Sequence, residues 1–414
     1  MATSFPYRVL DLTDEKGFLC GKLLADLGAE VIKVERPGGE PSRNIPPFYH
    51  DIPHPEKSLY WWAYNLNKKG ITLDIETADG KAIFQKLVRG SDFVIESFPV
   101  GYLDSLGLGY STLKDWKPSL ILTSITPFGQ QGPYKDYKGS DLTLLAMAGF
   151  LYITGYPDLP PMRISFPQSW LLAGSNAAAA TMIAHHYRQN TGIGQHVDVS
   201  VQANITWTIT NVVTLWELTR ANLARKGSVL TSRYGTGANQ RILWRCKDGF
   251  VAYIVFGGRL GVNMGNKRLT AWMVQEGIAD SFLTQFDWEN HDLAVATQET
   301  QSRLEAYVER LFLKYTKLEL YQEGQKRDIK IFPAYSPRDM INDPQLQSRG
   351  LWADVEHPEL RAHIRYPGFF FKTTASDPPT PLKAPLTGEH NREVYQQIGL
   401  SQADLIRLKG ANII

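Results

Sequence analysis

Apolar runs and helically spaced apolar residues take turns along the first third of the chain. Arg8 to Thr13, RVLDLT, is a short apolar run of the kind that forms a buried strand. Phe18 to Gly28, FLCGKLLADLG, spaces its apolar residues for a helix and closes on glycine, a usual helix stop. Ala29 to Glu35, AEVIKVE, is rich in β-branched residues and predicts a second strand. Strand, helix and strand in so short a stretch make a βαβ unit, whose two strands lie parallel. The pattern continues. GITLDI (Gly70 to Ile75) predicts a strand, and Thr77, Asp79 and Gly80 open a helix running to about Val88. DFVIES (Asp92 to Ser97) and SLILTSI (Ser119 to Ile125) predict further strands. Ser165 to Gln195 predicts a long alanine-rich helix with Trp170 in its first turn. Residues 1–222 therefore read as an open α/β domain. From 223 to 332 the chain changes character: ILWRCKDGFVAYIVFGG is followed by helical segments such as TQSRLEAYVERLFLKY (Thr300 to Tyr315), which predicts a smaller α+β domain.

Length agrees with this division, because 414 residues exceed what one hydrophobic core usually organises. Charge narrows the partners. With 44 basic and 42 acidic residues the net charge is +2, which gives no reason to expect nucleic acid or an anionic membrane. The two cysteines, Cys20 and Cys246, form no CxxC or metal-type spacing, so no metal is expected and a reduced cytoplasmic setting fits. The N-terminus has no signal core, and the most apolar run, Leu142 to Gly155, is too short to span a bilayer.

Several motif readings fail. Tyr234 to Gln240, YGTGANQ, has glutamine where a nucleotide loop needs its third glycine, and it follows no βαβ strand. His185 and His186 have no acidic or cysteine partner at ligand spacing and read as packing. The tryptophans at 61–62 and from Trp207 to Trp216 read as core or subunit interface. There is no GxSxG, HExxH or Walker loop.

What remains is an ordered series of phrases. They are RVLDL, LLADLGAEVIKVERPGGEPSR, YNLNKKGITLDI, DFVIESFPVGYLDSLGLGYSTL, LILTSITPFGQQGPYKDYKGSDL, LYITGYPDLPPMRIS, TGIGQHVDVSV and APLTGEH. In this order the chain resembles the class III CoA-transferase family, over nearly its whole length and most weakly in the middle. The resemblance implies a large Rossmann-like domain formed by both chain ends, 1–222 and 333–414, with the smaller α+β domain of 223–332 inserted between. It also implies an interlocked-ring dimer. The implied chemistry is nucleophilic. An aspartate near the start of the helix before TGxGQ attacks an acyl-CoA thioester, giving a mixed anhydride and a CoA thiolate, and a helix N-terminus favours the ionised carboxylate.

The family pattern aligns on Pro167, Gly174, Arg188, Thr191, Gly192, Gly194 and Gln195, and the aspartate position then falls on Trp170. An indole forms no acyl anhydride, so no catalytic residue is expected in this chain. The alternative is a misalignment with Asp158 or Asp141 as nucleophile, but both lie well upstream of the aligned positions. The family's CoA contacts are also thinned. The first loop reads Thr13-Asp14-Glu15-Lys16-Gly17, whose two acids oppose a pyrophosphate. An expected arginine falls on Ser105, an expected lysine on Thr126, and a glycine-rich lid is reduced to Gly235 and Gly237. The candidate CoA-binding residues that persist are Arg36, Leu73, Phe98 and Lys138, with Leu73 and Phe98 reading equally well as packing. The expectation is thus the non-nucleophilic subunit of a heteromer. Its partner would be a homologous subunit carrying the aspartate and holding most of the CoA, with no covalently bound cofactor. The expected reaction moves CoA from an acyl-CoA, above all succinyl-CoA, to a carboxylic acid such as benzylsuccinate in anaerobic aromatic degradation. The alternatives are an acyl-CoA racemase, isomerase or lyase of the same family, and a non-enzymatic acyl-CoA binding or scaffolding protein.

Overall fold

The structure, a computed structural model, describes residues 5–230, 237–374 and 380–414. They fall into two compact units. The larger comprises the chain up to Leu151, then Arg163–Asn222 and Pro344–Ile414; the smaller comprises Tyr152–Met162 and Leu223–Asp343. The chain rejoins the larger unit at Pro344 rather than at 333. The reason is local: Ser336 and Asp339 form a capping box, and Asp339 pairs with Lys317, so this stretch stays with the smaller unit.

The larger unit is built on a six-stranded sheet of β1 (Arg8–Leu12), β2 (Glu30–Glu35), β3 (Lys68–Thr72), β4 (Phe93–Glu96), β5 (Ile121–Thr126) and β6 (His196–Ser200). The strands are all parallel, in the order β3-β2-β1-β4-β5-β6. Its helices include α1 (Phe18–Asp26), α2 (Leu59–Asn65), α3 (Ala78–Arg89), α4 (Tyr102–Ser105), α5 (Tyr110–Trp116), α6 (Asp141–Met147) and α7 (Ser169–Thr191). Strands β1 to β5 are largely buried on both faces, which is why most of them read as apolar runs rather than alternating patterns, while the edge strand β6 is mostly exposed or half-buried. Leu10, Ile32, Val94 and Leu122 pack with Phe84 and Leu87 of α3 on one face. Val9, Val31, Phe93 and Ile121 pack with Leu24 of α1 and Ala173 and Ala177 of α7 on the other. The small residues of α7 let α1 approach closely: a Cβ at Gly174 would sit 3.1 Å from that of Leu19.

β3 begins at Lys68 and leaves the ladder after Thr72, earlier than the apolar run GITLDI predicts. Leu73 still donates its N–H to the Glu35 carbonyl, but the next amide, Asp74, turns to the Ile413 carbonyl instead. That bond, with the Tyr395 hydroxyl donating to the Thr72 carbonyl, ties the end of the chain to the edge of the sheet.

The smaller unit pairs the strands Phe332–Pro333, Gly249–Ala252 and Leu243–Cys246 antiparallel. Its core is Trp244, Trp272, Leu304, Tyr307 and Phe312. Among the described residues no helix is long and apolar enough to cross a membrane.

Candidate active site

The strand order reverses between β1 and β4, and parallel sheets bind ligands beyond the carboxyl ends of strands at such a reversal. A cavity of about 520 Å³ lies there, lined by Lys16, Ser97, Phe98, Thr126, Lys135 and Lys138 among others. Lys16 comes from the loop between β1 and α1, Ser97 and Phe98 from the turn after β4, and Thr126 from the last position of β5.

Two of the four sequence-predicted CoA residues, Phe98 and Lys138, meet in this cavity. Arg36 is connected to it at one remove. Its Nη2 donates to the Tyr102 hydroxyl at 3.0 Å, and the Tyr102 ring packs on Phe98 with centroids 4.7 Å apart. Arg36 is also paired with Glu76 at 3.0 Å, and both are exposed. Leu73 is different: at 2% exposure it belongs to the core, so its side chain packs. Ser105 spends its hydroxyl on the Tyr102 carbonyl. The Thr126 hydroxyl is buried with no partner among the described residues.

The first loop is less hostile to an anion than its two acids imply. Asp14 pairs with Lys16 and accepts the Ser97 hydroxyl at 2.7 Å, while Glu15 accepts the Ser42 hydroxyl at 2.7 Å. Lys16 is the residue of this loop that lines the cavity. Of the three lysines, Lys135 lies 3.4 Å from Asp136, and Lys138 has no partner among the described residues.

The first turn of α7 holds the position where the family pattern places its nucleophile. Trp170 stands there at 7% exposure, packed in the core cluster with Leu144, Leu145 and Ala173. The positive end of the helix is already occupied. The Asp141 Oδ1 accepts the N–H groups of Gln168 and Ser169, both at 2.9 Å, and the Ser169 hydroxyl at 2.8 Å. Its Oδ2 is buried and has no partner among the described residues. Asp141 is thus far from Trp170 in sequence and beside it in space, as the cap of the same helix. Burial pushes the Tyr60 phenol well up, helped by Tyr64, Glu15, Asp14 and Asp141, so these acids converge on one region. Asp158 lies in the smaller unit. Gly235 falls outside the described residues.

Sequence reasoning missed Glu96, and it named Lys16 and Asp141 without the roles they have here, a cavity-lining cation and a helix cap. Glu96 is the one acid ending the apolar strand β4, and that break in an apolar run was the available signal. It is buried, and burial pushes its carboxyl up to about 7. Among the described residues no group of three or more His, Cys, Asp or Glu side chains is placed to hold a metal ion.

Comparison with known proteins adds four findings. The profile of the family described as CoA-transferase family III matches residues 7–391. The chain is 35% identical over 404 residues to "Succinyl-CoA:(R)-benzylsuccinate CoA-transferase subunit BbsE" of Thauera aromatica, covering 95% of this chain and 93% of that protein. It is 31% identical over 400 residues to succinyl-CoA–D-citramalate CoA-transferase of Chloroflexus aurantiacus, covering 96% and 94%. A CAIB/BAIF family protein from Brucella suis has the same fold, with a TM-score of 0.82 at 26% identity, over 96% of this chain and all of that one.

Proposed function

The chain belongs to CoA-transferase family III, and from that premise we propose that it is the non-nucleophilic subunit of a heteromeric enzyme. In this reading CoA moves from succinyl-CoA to a carboxylic acid of the benzylsuccinate type, on an aspartate supplied by a homologous partner subunit. The observation that carries it is Trp170, buried in the first turn of α7 beside an Asp141 carboxylate that already caps the helix. Asp141 is a poor substitute nucleophile. One oxygen is committed to three donors, and the other is closed off from solvent. The likeness to a benzylsuccinate CoA-transferase subunit supports the choice of substrate class.

This chain keeps part of an acyl-CoA site. Lys16 and Lys138 would face the phosphates, and Phe98 would supply an apolar wall at the switch point. Without the arginine and lysine replaced by Ser105 and Thr126, most of the hold on CoA falls to the partner.

The test is co-expression with a family member that has aspartate at the position aligned with Trp170. CoA transfer from succinyl-CoA to benzylsuccinate should need both chains and should stop when the partner's aspartate becomes alanine. Transfer by this chain alone would sink the reading.

A further inference from the structure

The loop after β5 gathers three aromatic rings at the switch-point cavity. Ring centroids lie 5.2 Å apart for Tyr134 and Tyr137, 5.8 Å for Phe128 and Tyr134, and 6.4 Å for Phe128 and Tyr137, all within the range of favourable aromatic pairs. Phe128 is half-buried and packs on the core, which anchors the group. Tyr137 lines the cavity and is 58% exposed, and its neighbour Tyr134 is 42% exposed. A solitary exposed tyrosine needs no explanation; two held ring to ring at a cavity do.

Both ends of this loop are fixed. The Gln130 N–H donates to the two Asp198 carboxylate oxygens at 3.1 and 3.0 Å, which ties the loop to β6. At the other end a Cβ on Gly139 would fall 2.8 Å from that of Pro127, so the chain returns this closely only as glycine. Within the loop the Lys135 and Tyr137 N–H groups donate to the Gly132 and Tyr134 carbonyls at 3.4 and 2.9 Å. The rings are therefore placed before a ligand arrives, which lowers the ordering cost of binding.

The neighbouring charge narrows the ligand. Lys135 lines the cavity between the two tyrosines in sequence. Its ammonium lies 3.4 Å from Asp136, with both side chains exposed, a loose pair that a ligand carboxylate can displace. Ring faces beside an ammonium group suit an apolar ring with a carboxylate a few bonds away. A purine presents a hydrogen-bonding edge, and the amides of Gln130, Lys135 and Tyr137 that could answer it are already used. A phenyl ring has no such edge and leaves nothing unpaired.

We propose that Tyr137, backed by Tyr134 and Phe128, receives the aromatic ring of the acceptor acid while Lys135 takes one of its carboxylates, so that this loop sets a preference for an aryl-substituted over an aliphatic dicarboxylic acid. The second carboxylate is left for transfer, and Lys16 and Lys138 are left for the phosphates of CoA. The acceptor role rests on reading the cavity as a transferase site; the aryl-anion site itself does not.

Saturation-transfer NMR of the full chain, alone and in the mixed complex, tests the site with benzylsuccinate and with succinate. The benzylsuccinate phenyl protons should take up more saturation than its methylene protons, and succinate less than either. Tyr137→Phe should keep this pattern and Tyr137→Leu should lose it; the side chain is exposed, so both variants should fold. In the mixed complex Tyr137→Leu should raise the KM for benzylsuccinate about two- to tenfold and leave that for succinyl-CoA in place. Phenyl protons that saturate no more than the methylenes, or a pattern unchanged in Tyr137→Leu, overturn the aryl site. Displacement of benzylsuccinate by adenosine bisphosphate, the nucleotide end of CoA, gives the rings to the nucleotide and overturns it too. If the mixed complex transfers no CoA while the Tyr137-dependent saturation persists, the transferase reading falls and the aryl-anion site stands.

Discussion

Changing Trp170 to aspartate restores the carboxylate that the family chemistry uses, yet its surroundings should keep it from working. An aromatic side chain of this kind removes roughly 150–250 Å² from water. At about 25 cal/mol per Å² that is at most about 4–6 kcal/mol, and truncations of buried tryptophan run about 3–5 kcal/mol. Trp170 is nearly fully buried, so the upper part of that range applies. A helix N-terminus returns only about 0.3–1 kcal/mol to a new carboxylate. Here even that is reduced, because Asp141 already accepts from the first amides and a second carboxylate beside it is repelled. The net loss should be about 3–5 kcal/mol. Its pH dependence has a definite sign. Burial and Asp141 raise the new carboxyl in the folded state, so the variant should lose more stability at pH 8 than at pH 5. Urea midpoints of Trp170→Asp and Trp170→Phe at the two pH values measure this, with phenylalanine losing less and showing no such slope. The mixed complex carrying Trp170→Asp should transfer CoA at roughly the wild-type rate. If the rate doubles, the second site was merely disarmed and the reading of a relaxed, structural subunit is wrong.

Further outcomes are expected. The isolated chain should bind CoA more weakly than micromolar, or about −8 kcal/mol, and Lys16→Ala and Lys138→Ala should weaken it further; calorimetric titration checks both. Co-expression should yield a mixed oligomer by size exclusion with mass analysis, and a stable, active homodimer of this chain alone would contradict the heteromer. Glu96 titrates higher when folded than unfolded, so stability should fall as pH rises from about 4.5 to about 7, by at most about 3 kcal/mol, and then level off. Glu96→Gln should remove that slope from the urea midpoints.

The βαβ pattern was legible because strands buried on both faces are mostly apolar, and RVLDLT and AEVIKVE keep that pattern around Asp11 and Lys33. The limits of β3 were not, because Lys68 reads as polar yet is buried, and because the bond that ends the strand comes from Ile413 at the far end of the chain. The same separation hid parts of the site. Phe98 and Lys138 stood out in recognisable phrases. Asp141 looked remote, since nothing local shows that it caps a helix beginning at Ser169. The acids at Asp14 and Glu15 looked repulsive because their partners, Lys16, Ser97 and Ser42, are fixed by loop geometry rather than by spacing. Trp61 and Trp62 are core, whereas Trp207 is 73% exposed, a difference that composition does not carry.

Beneath the loop that brings Lys16 to the cavity lies a buried charge cluster of Asp11, Lys33 and Lys68. Lys68 Nζ donates to Asp11 Oδ2 at 2.8 Å, Asn65 Oδ1 at 2.9 Å and the Phe18 carbonyl at 3.1 Å, so all three of its protons are placed. Lys33 donates to the Asp11 and Thr13 carbonyls, and its Nζ lies 3.7 Å from Asp11 Oδ1. Burial alone would raise the Asp11 carboxyl, but Lys68 and Lys33 outweigh it and hold it below the usual range. Its stabilisation is therefore present above the unfolded value near 3.8 and is lost only as pH falls toward the lower folded value. The cluster carries one anion and two cations, a net charge of +1. Asp11→Asn raises this to +2 in a dry interior and should cost about 3–5 kcal/mol. Lys68→Met alone leaves Asp11 with Lys33 as its one remaining cation and strands Asn65. The double variant Asp11→Asn, Lys68→Met returns the net charge to +1, so it should be more stable than Asp11→Asn despite carrying one more substitution. Urea midpoints of the two single variants and the double one decide this through their coupling energy. Simple additivity would show that charge balance is not what holds the cluster, and that the bonds from Lys33 to the loop carbonyls suffice to fix the exit of β1.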